Sequence, residues 1–162
     1  MLARIIIVLS MLFFVVACGT APKDTASSSD SGLTSVDYTS DGIKPGSSDD
    51  LIVNVGDRVF FALNSHDLDD DSKSRLQDQA SWLKQYSNVA ITVEGHCDER
   101  GTREYNIALG ERRAQSMKNY LIGLGIEAGR ISTISYGKER PSVLGSNESA
   151  WSQNRRAVAV VN

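Results

Sequence analysis

Cysteine is nearly absent: the 162 residues hold two, Cys18 and Cys97. Cys18 falls in the N-terminal segment and Cys97 far along the chain, and two cysteines alone make no disulfide framework. No C-x-x-C or H-x-x-x-H spacing occurs, so the usual zinc-site signatures are missing too. Basic residues are not in surplus: 17 Lys and Arg stand against 20 Asp and Glu, for a net charge of −3 and a pI near 5.4. That balance argues against nucleic acid as a partner, since phosphate neutralisation needs a basic surface. No apolar run reaches the about 20 residues that a bilayer-spanning helix requires. No internal repeat is present.

What the N-terminus does contain is a short apolar run, "IIIVLSMLFFVV", behind the positive end "MLAR" and ahead of "VVAC". This is the layout of a secretory signal peptide over residues 1–17; an uncleaved anchor is the alternative. The "VVAC" stretch resembles the lipobox of bacterial lipoproteins. The resemblance implies cleavage before Cys18, a thioether-linked diacylglycerol on its sulfur and an amide-linked acyl chain on its new amino terminus. One chain holds a protein only marginally, whereas three hold it firmly, at about 0.8 kcal/mol per buried CH2. Gly19, where Asp would favour retention in the inner membrane, points by the same resemblance to the outer membrane.

Residues 18–50 are rich in Ser, Thr, Asp and Gly, with few apolar positions and no period. Such a composition cannot bury enough surface to offset its ordering entropy, and it predicts a flexible tether. Its span is about 30 Å as a random coil and about 110 Å when extended. Residues 51–162 alternate in type and read as one folded domain. "DRVFFAL", "VAITVEG", "RISTISYG" and "RRAVAVVN" suit strands. "LDDDSKSRLQDQASWLKQY" opens with acids, which suit a helix N-terminus, and keeps Leu76, Ala80, Leu83 and Tyr86 at helical spacing. In "REYNIALGERRAQSMKNYLIGLG", Tyr105, Leu109, Met117, Tyr120, Leu121 and Leu124 do the same, with Gly125 placed to end the helix. The order β-α-β-α-β-(turn or short helix)-β predicts an α+β fold with helices packed on one mixed sheet, a two-layer sandwich.

The chemistry concentrates between Glu94 and Ala114, "EGHCDERGTREYNIALGERRA". A zinc site would draw on His66, His96, Cys97 and Asp98, but strand neighbours point to opposite faces, so His96 and Cys97 would not converge. A Cys97 nucleophile needs an oriented base within hydrogen-bond reach, which adjacent residues seldom supply; a small thiol closing a strand end is the plainer reading. Glu94 and Asp98 form a carboxylate pair of the kind that cleaves glycans, although no apolar pocket to raise one pKa is visible. The fourth reading is a clamp. Asp98 lies in the loop after a strand, while Asn106, Leu109 and Arg113 share one face of the following helix. An acid and a guanidinium set apart over an apolar floor suit a zwitterion. The alternative is a plain Asp98–Arg113 salt bridge that latches loop to helix. Nothing in the sequence calls for a cofactor or a metal.

Four stretches in order carry a family resemblance: Ile91–Thr102, Glu104–Ala114, "SYGKERP" at Ser135–Pro141 and "NRRA" at Asn154–Ala157. From about Val59 to Val161 the chain resembles the OmpA C-terminal-like domain family, with Cys97 where Ala or Thr is usual. The resemblance implies non-covalent binding of the peptide stem of peptidoglycan through meso-diaminopimelate, whose end is an amino acid zwitterion. Carried over by motif, Asp98 and Arg113 grip the ligand and Leu109 lines the pocket. Thr102 and Asn106 support the loop, Leu63 and Asn64 form the opposite lip, and Arg156 braces the site. Asn64 stands where relatives commonly have Asp, which implies weaker binding. The resemblance further implies docking to a TolB-like β-propeller of the Tol system, with a role in envelope constriction at cell division. On this reading an outer-membrane lipoprotein presents its domain to the periplasm. A peptidoglycan hydrolase using Glu94 and Asp98 is one rival. A flagellar-stator-type anchor is another, against which the short apolar run counts.

Overall fold

In a computed structural model of the chain, residues 42–162 are described. The expected signal peptide, Cys18 and most of the expected tether lie outside them. No helix among the described residues is long and apolar enough to cross a membrane.

The chain runs α1 (Ser48–Asp50), a π-helical turn (Leu51–Val55), β1 (Arg58–Phe60), α2 (Asp70–Gln85), β2 (Ile91–His96) and α3 (Arg103–Gly123). It finishes with a 3-10 turn (Ala128–Arg130), β3 (Ile131–Gly137), α4 (Glu148–Asn154) and β4 (Arg156–Val161). The expected order of strands and helices is present, and the uncertain element before the last strand is α4. Helix starts follow the local chemistry. Asp69 caps α2 by accepting from Ser72 N at 2.8 Å, and Thr102 caps α3 by accepting from Tyr105 N at 3.2 Å. Past α3, Gly125 takes φ +95°, which a side chain resists.

β1 ends earlier than its sequence suggests. The run "FFAL" is apolar enough for a strand through Leu63, but Ser65 N donates to Ala62 O at 3.2 Å and Asn64 adopts φ +54°, so the chain turns instead. At the other end, Ser48–Asp50 pack onto the domain although their composition matches the tether. The Asp50 carboxylate is buried and accepts from Gly46 N (2.7 Å), Asn54 Nδ2 (2.7 Å) and Trp82 Nε1 (3.0 Å).

The sheet has the order β1-β4-β2-β3. β4 runs antiparallel to both β1 and β2, while β3 is parallel to β2. Leaving β2 for a parallel neighbour demands a crossover, and α3 supplies it. Val59, Ile91, Val93, Ile131, Ala157 and Ala159 meet Leu76, Leu83, Met117 and Leu121 of the helices in one core. α3 lies unusually close to the sheet at Gly95 and Gly110. A Cβ on Gly95 would overlap the carbonyl oxygen of Gly110, and one on Gly110 would overlap Ser135 Oγ. This near contact fixes the height of α3 over the end of β2, where the loop 97–102 begins.

Candidate functional site

The loop between β2 and α3 is tied down at every step. Cys97 N donates to Gly137 O at 2.8 Å, and the buried Cys97 thiol donates to Asn106 O at 3.3 Å. Burial pushes that thiol's pKa up, which disfavours the thiolate that a nucleophile needs. Asn106, itself buried, donates from Nδ2 to Arg100 O (2.8 Å) and Thr102 O (3.1 Å). Asn106 thus ties the loop backbone to α3, whose first turn Thr102 caps.

Asp98 is 5% exposed and does not pair with Arg113. Its carboxylate takes Arg100 twice, Nε at 3.1 Å and Nη2 at 2.6 Å, together with Arg100 N at 3.1 Å. Burial pushes the carboxyl's pKa up, but the side-chain and backbone hydrogen bonds from Arg100 outweigh it and hold the group below its usual value. Arg100 is in turn stacked on Trp151, its Cζ 3.9 Å from the ring centroid. Trp151 Nε1 donates to Glu99 Oε1 at 3.0 Å.

Arg113 is 1% exposed and spends its donors on backbone. Nε reaches Ser65 O (2.9 Å), Nη1 reaches His96 O (2.8 Å) and Nη2 reaches Ala62 O (3.2 Å). Its Cζ stands 5.2 Å from the Phe61 ring centroid. Burial lowers its pKa, and the nearby Asp98 charge is among the groups that oppose this. The sequence left open a clamp or a direct salt bridge between Asp98 and Arg113, and the salt bridge does not form. Arg113 instead pins the β1–α2 loop, and so sets the position of Leu63 and Asn64.

Leu63 and Asn64, both exposed, face Arg100, Gly101 and Tyr105 across a depression of about 350 Å³. Asp98 sits behind Arg100, and Leu109 is buried at 3% exposure as part of the floor of the domain and not on the open surface of the depression. Arg156 does not reach the site. It donates from Nη2 to Arg140 O at 3.3 Å, with its charge beside His96. The brace is Arg155, which donates to Phe61 O (3.0 Å) and Glu148 Oε1 (2.7 Å) and brings Nη1 to 3.5 Å from Asp98 Oδ2. The two arginines are consecutive where α4 gives way to β4, so they project to opposite sides. Motif transfer cannot tell which one faces the loop. Arg100, Gly101, Tyr105, Trp151 and Arg155 are the residues sequence reasoning missed. Arg100 alone had a local signal, lying two residues after Asp98 where an aspartate readily bonds the backbone.

The rival chemistries come apart in the geometry. His66 lines a different groove, His96 Nε2 lies 3.4 Å from Glu94 Oε2, and the Cys97 sulfur faces Asn106, so the supposed zinc ligands do not converge. Burial first, then the charge of Arg156, push His96 down to about 4, so its contact with Glu94 is not an ion pair at neutral pH. Glu94 meets His96 while Asp98 meets Arg100 and Arg155, so the two carboxylates serve separate networks.

Residues 60–156 match the OmpA family. A peptidoglycan-associated lipoprotein of Agrobacterium fabrum is 56% identical over 117 residues, covering 72% of this chain and 66% of that one. A peptidoglycan-associated lipoprotein of Brucella melitensis is 46% identical over 158 residues, covering 98% of this chain and 91% of the relative. Among solved structures, the crystal structure of the peptidoglycan-associated lipoprotein from Burkholderia pseudomallei superposes with a TM-score of 0.64 at 40% identity. That match covers 65% of this chain and 90% of the other.

Proposed function

The chain belongs to the OmpA family, and from that premise we propose that its domain holds peptidoglycan non-covalently at the depression between Leu63–Asn64 and Arg100–Tyr105. The observation that carries this reading is the Asp98–Arg100 pair at the edge of that depression: a buried carboxylate whose main partner is a part-exposed guanidinium. A ligand end bearing both an ammonium and a carboxylate can insert into such a pair. Its carboxylate takes Arg100 bidentately and its ammonium takes Asp98, with Asn64 as a further acceptor. Two ion pairs replace one, and Arg155 keeps Asp98 ionised throughout. The distal end of meso-diaminopimelate has this form. Tyr105 and Leu63 supply apolar walls for its methylene chain. Arg113 acts one layer below, by holding the lip.

The wall is held and not cut. Catalysis on a glycan needs one carboxyl kept protonated, whereas Asp98 is held ionised by its arginine partners. The relatives' names support the same reading, since they describe association with peptidoglycan by a lipoprotein. On this account Cys18 carries the lipid that places the protein in the outer membrane, and the domain reaches the wall across the periplasm. A TolB-like propeller competing for the same domain would connect it to envelope constriction. The test is co-sedimentation of the full chain with diaminopimelate-containing sacculi. Free meso-diaminopimelate should release it. Pelleting that is insensitive to the free amino acid removes the diaminopimelate reading, and release of muropeptides removes the binding-only reading.

A further inference from the structure

A second concavity, of about 510 Å³, lies on the other side of the same β1–α2 loop, lined by His66, Asp67, Lys73, Ser116, Asn119 and Tyr120. The two hollows share two walls. The loop gives Leu63 and Asn64 to the first and His66 and Asp67 to the second, and Arg113 holds it down between them through Ala62 O and Ser65 O. The helix α3 gives Tyr105 to the first, and Ser116 and Asn119 to the second.

On α3, Tyr105, Arg112, Ser116 and Asn119 are separated by steps of seven, four and three residues, which places them on one stripe. Arg112 is exposed and has no ion pair among the described residues. It is a free cation between two hollows, about 10 Å along the helix from Tyr105, on a chain of net negative charge.

We propose that Arg112 and the His66–Asn119 groove form a second subsite, which binds the acidic residue preceding diaminopimelate in the peptide stem and leads the stem toward its sugar. The inference rests on the peptidoglycan reading of the first hollow. The stem's glutamate is joined through its γ-carboxyl, which leaves its α-carboxylate free. In extended form that carboxylate lies about 10–12 Å from the distal end of diaminopimelate by ordinary bond lengths, the same reach as Tyr105 to Arg112. A ligand end seated in the first hollow, beside Tyr105, thus brings its next negative charge within reach of Arg112, the cation on the stripe. Beyond it, Lys73, Asn119, Ser116 and the Tyr120 ring present the mixture of donors, acceptors and an aromatic surface that suits a polar, sugar-bearing chain.

The test compares three soluble probes on the full chain in detergent: free meso-diaminopimelate, the tripeptide L-Ala-γ-D-Glu-meso-diaminopimelate, and the same tripeptide with its glutamate α-carboxylate amidated. The wild type should bind the acidic tripeptide about fivefold tighter than the amidated one, the size of an exposed ion pair. Arg112→Ala should erase that difference while leaving free diaminopimelate unchanged, and Arg112→Lys should restore part of it. Equal binding of the acidic tripeptide by wild type and Arg112→Ala overturns the second subsite alone. Loss of free diaminopimelate in Arg112→Ala also overturns it, by placing Arg112 in the first hollow. A wild type that ignores all three probes overturns the first-site reading and this one together.

Discussion

Replacing Arg113 with Ala separates a buried pin from a ligand-binding arm. Three backbone carbonyls lose their donor: Ser65, Ala62 and His96. The first two belong to a loop whose neighbouring residues are exposed, so water can replace the guanidinium there at about 0.5 kcal/mol each. The third contact is buried, and an orphaned buried carbonyl costs about 1–3 kcal/mol. Removing the side chain also leaves a void beside Phe61, worth a further 1–2 kcal/mol or so. The sum is about 3–6 kcal/mol of folding free energy in the absence of any ligand. For a domain of this size, that lowers the midpoint of thermal unfolding by roughly 15–30 °C. Arg113→Lys, which can satisfy one carbonyl but not three, should fall between Ala and wild type. Chemical denaturation read by tryptophan fluorescence measures both, since Trp82 is in the core. A loss below about 1 kcal/mol for Arg113→Ala refutes the pin and returns Arg113 to the role of a ligand arm.

His96 makes stability depend on pH. Its folded pKa of about 4 lies below the 6.5 of the unfolded chain, so the unfolded state binds more protons between those values. Stability should fall as pH drops from 6.5 towards 4, by up to about 1.4 kcal/mol per pH unit, and His96→Gln should flatten that slope in equilibrium unfolding; an unchanged slope contradicts the assignment. Asp98, with its depressed pKa, contributes stability that is lost only at lower pH, as the carboxyl finally protonates. Gly95→Ala forces a methyl into the Gly110 carbonyl and should cost about 3 kcal/mol or more, while a cost under about 0.5 kcal/mol would show that α3 can lift freely. Asn64→Asp, which puts a carboxylate beside the ligand ammonium, should tighten diaminopimelate binding about fivefold by calorimetry; weaker binding would mean that Asn64 does not face the ammonium.

The periodic parts of the fold were legible because burial imposes their period. Leu76, Ala80 and Leu83, and Leu109, Met117 and Leu121, are buried where helical spacing puts them. The strand order β1-β4-β2-β3 was not legible, since it depends on which edges meet and not on any local pattern. The site divides in the same way. Asp98 in the loop, Thr102 at the cap of α3 and Asn106 in its first turns are close in sequence, and their contacts are mostly local. The contacts of Arg113 were not legible, because its partners are backbone oxygens, which carry no sequence signature. Arg155 was missed in favour of Arg156 because adjacent residues diverge, and only the junction of α4 and β4 decides which one turns toward Asp98.

The central claim is that Asp98 and Arg100 open to admit one amino acid zwitterion, and it is tested by titrating meso-diaminopimelate into the wild type, Asp98→Asn and Arg100→Gln by calorimetry. All three should first be shown to be folded by their unfolding midpoints. Each variant removes one charge-assisted partner of the ligand, which should weaken binding by about 1.5–3 kcal/mol, tenfold to roughly 150-fold. A folded Asp98→Asn that binds diaminopimelate as tightly as the wild type would contradict the account.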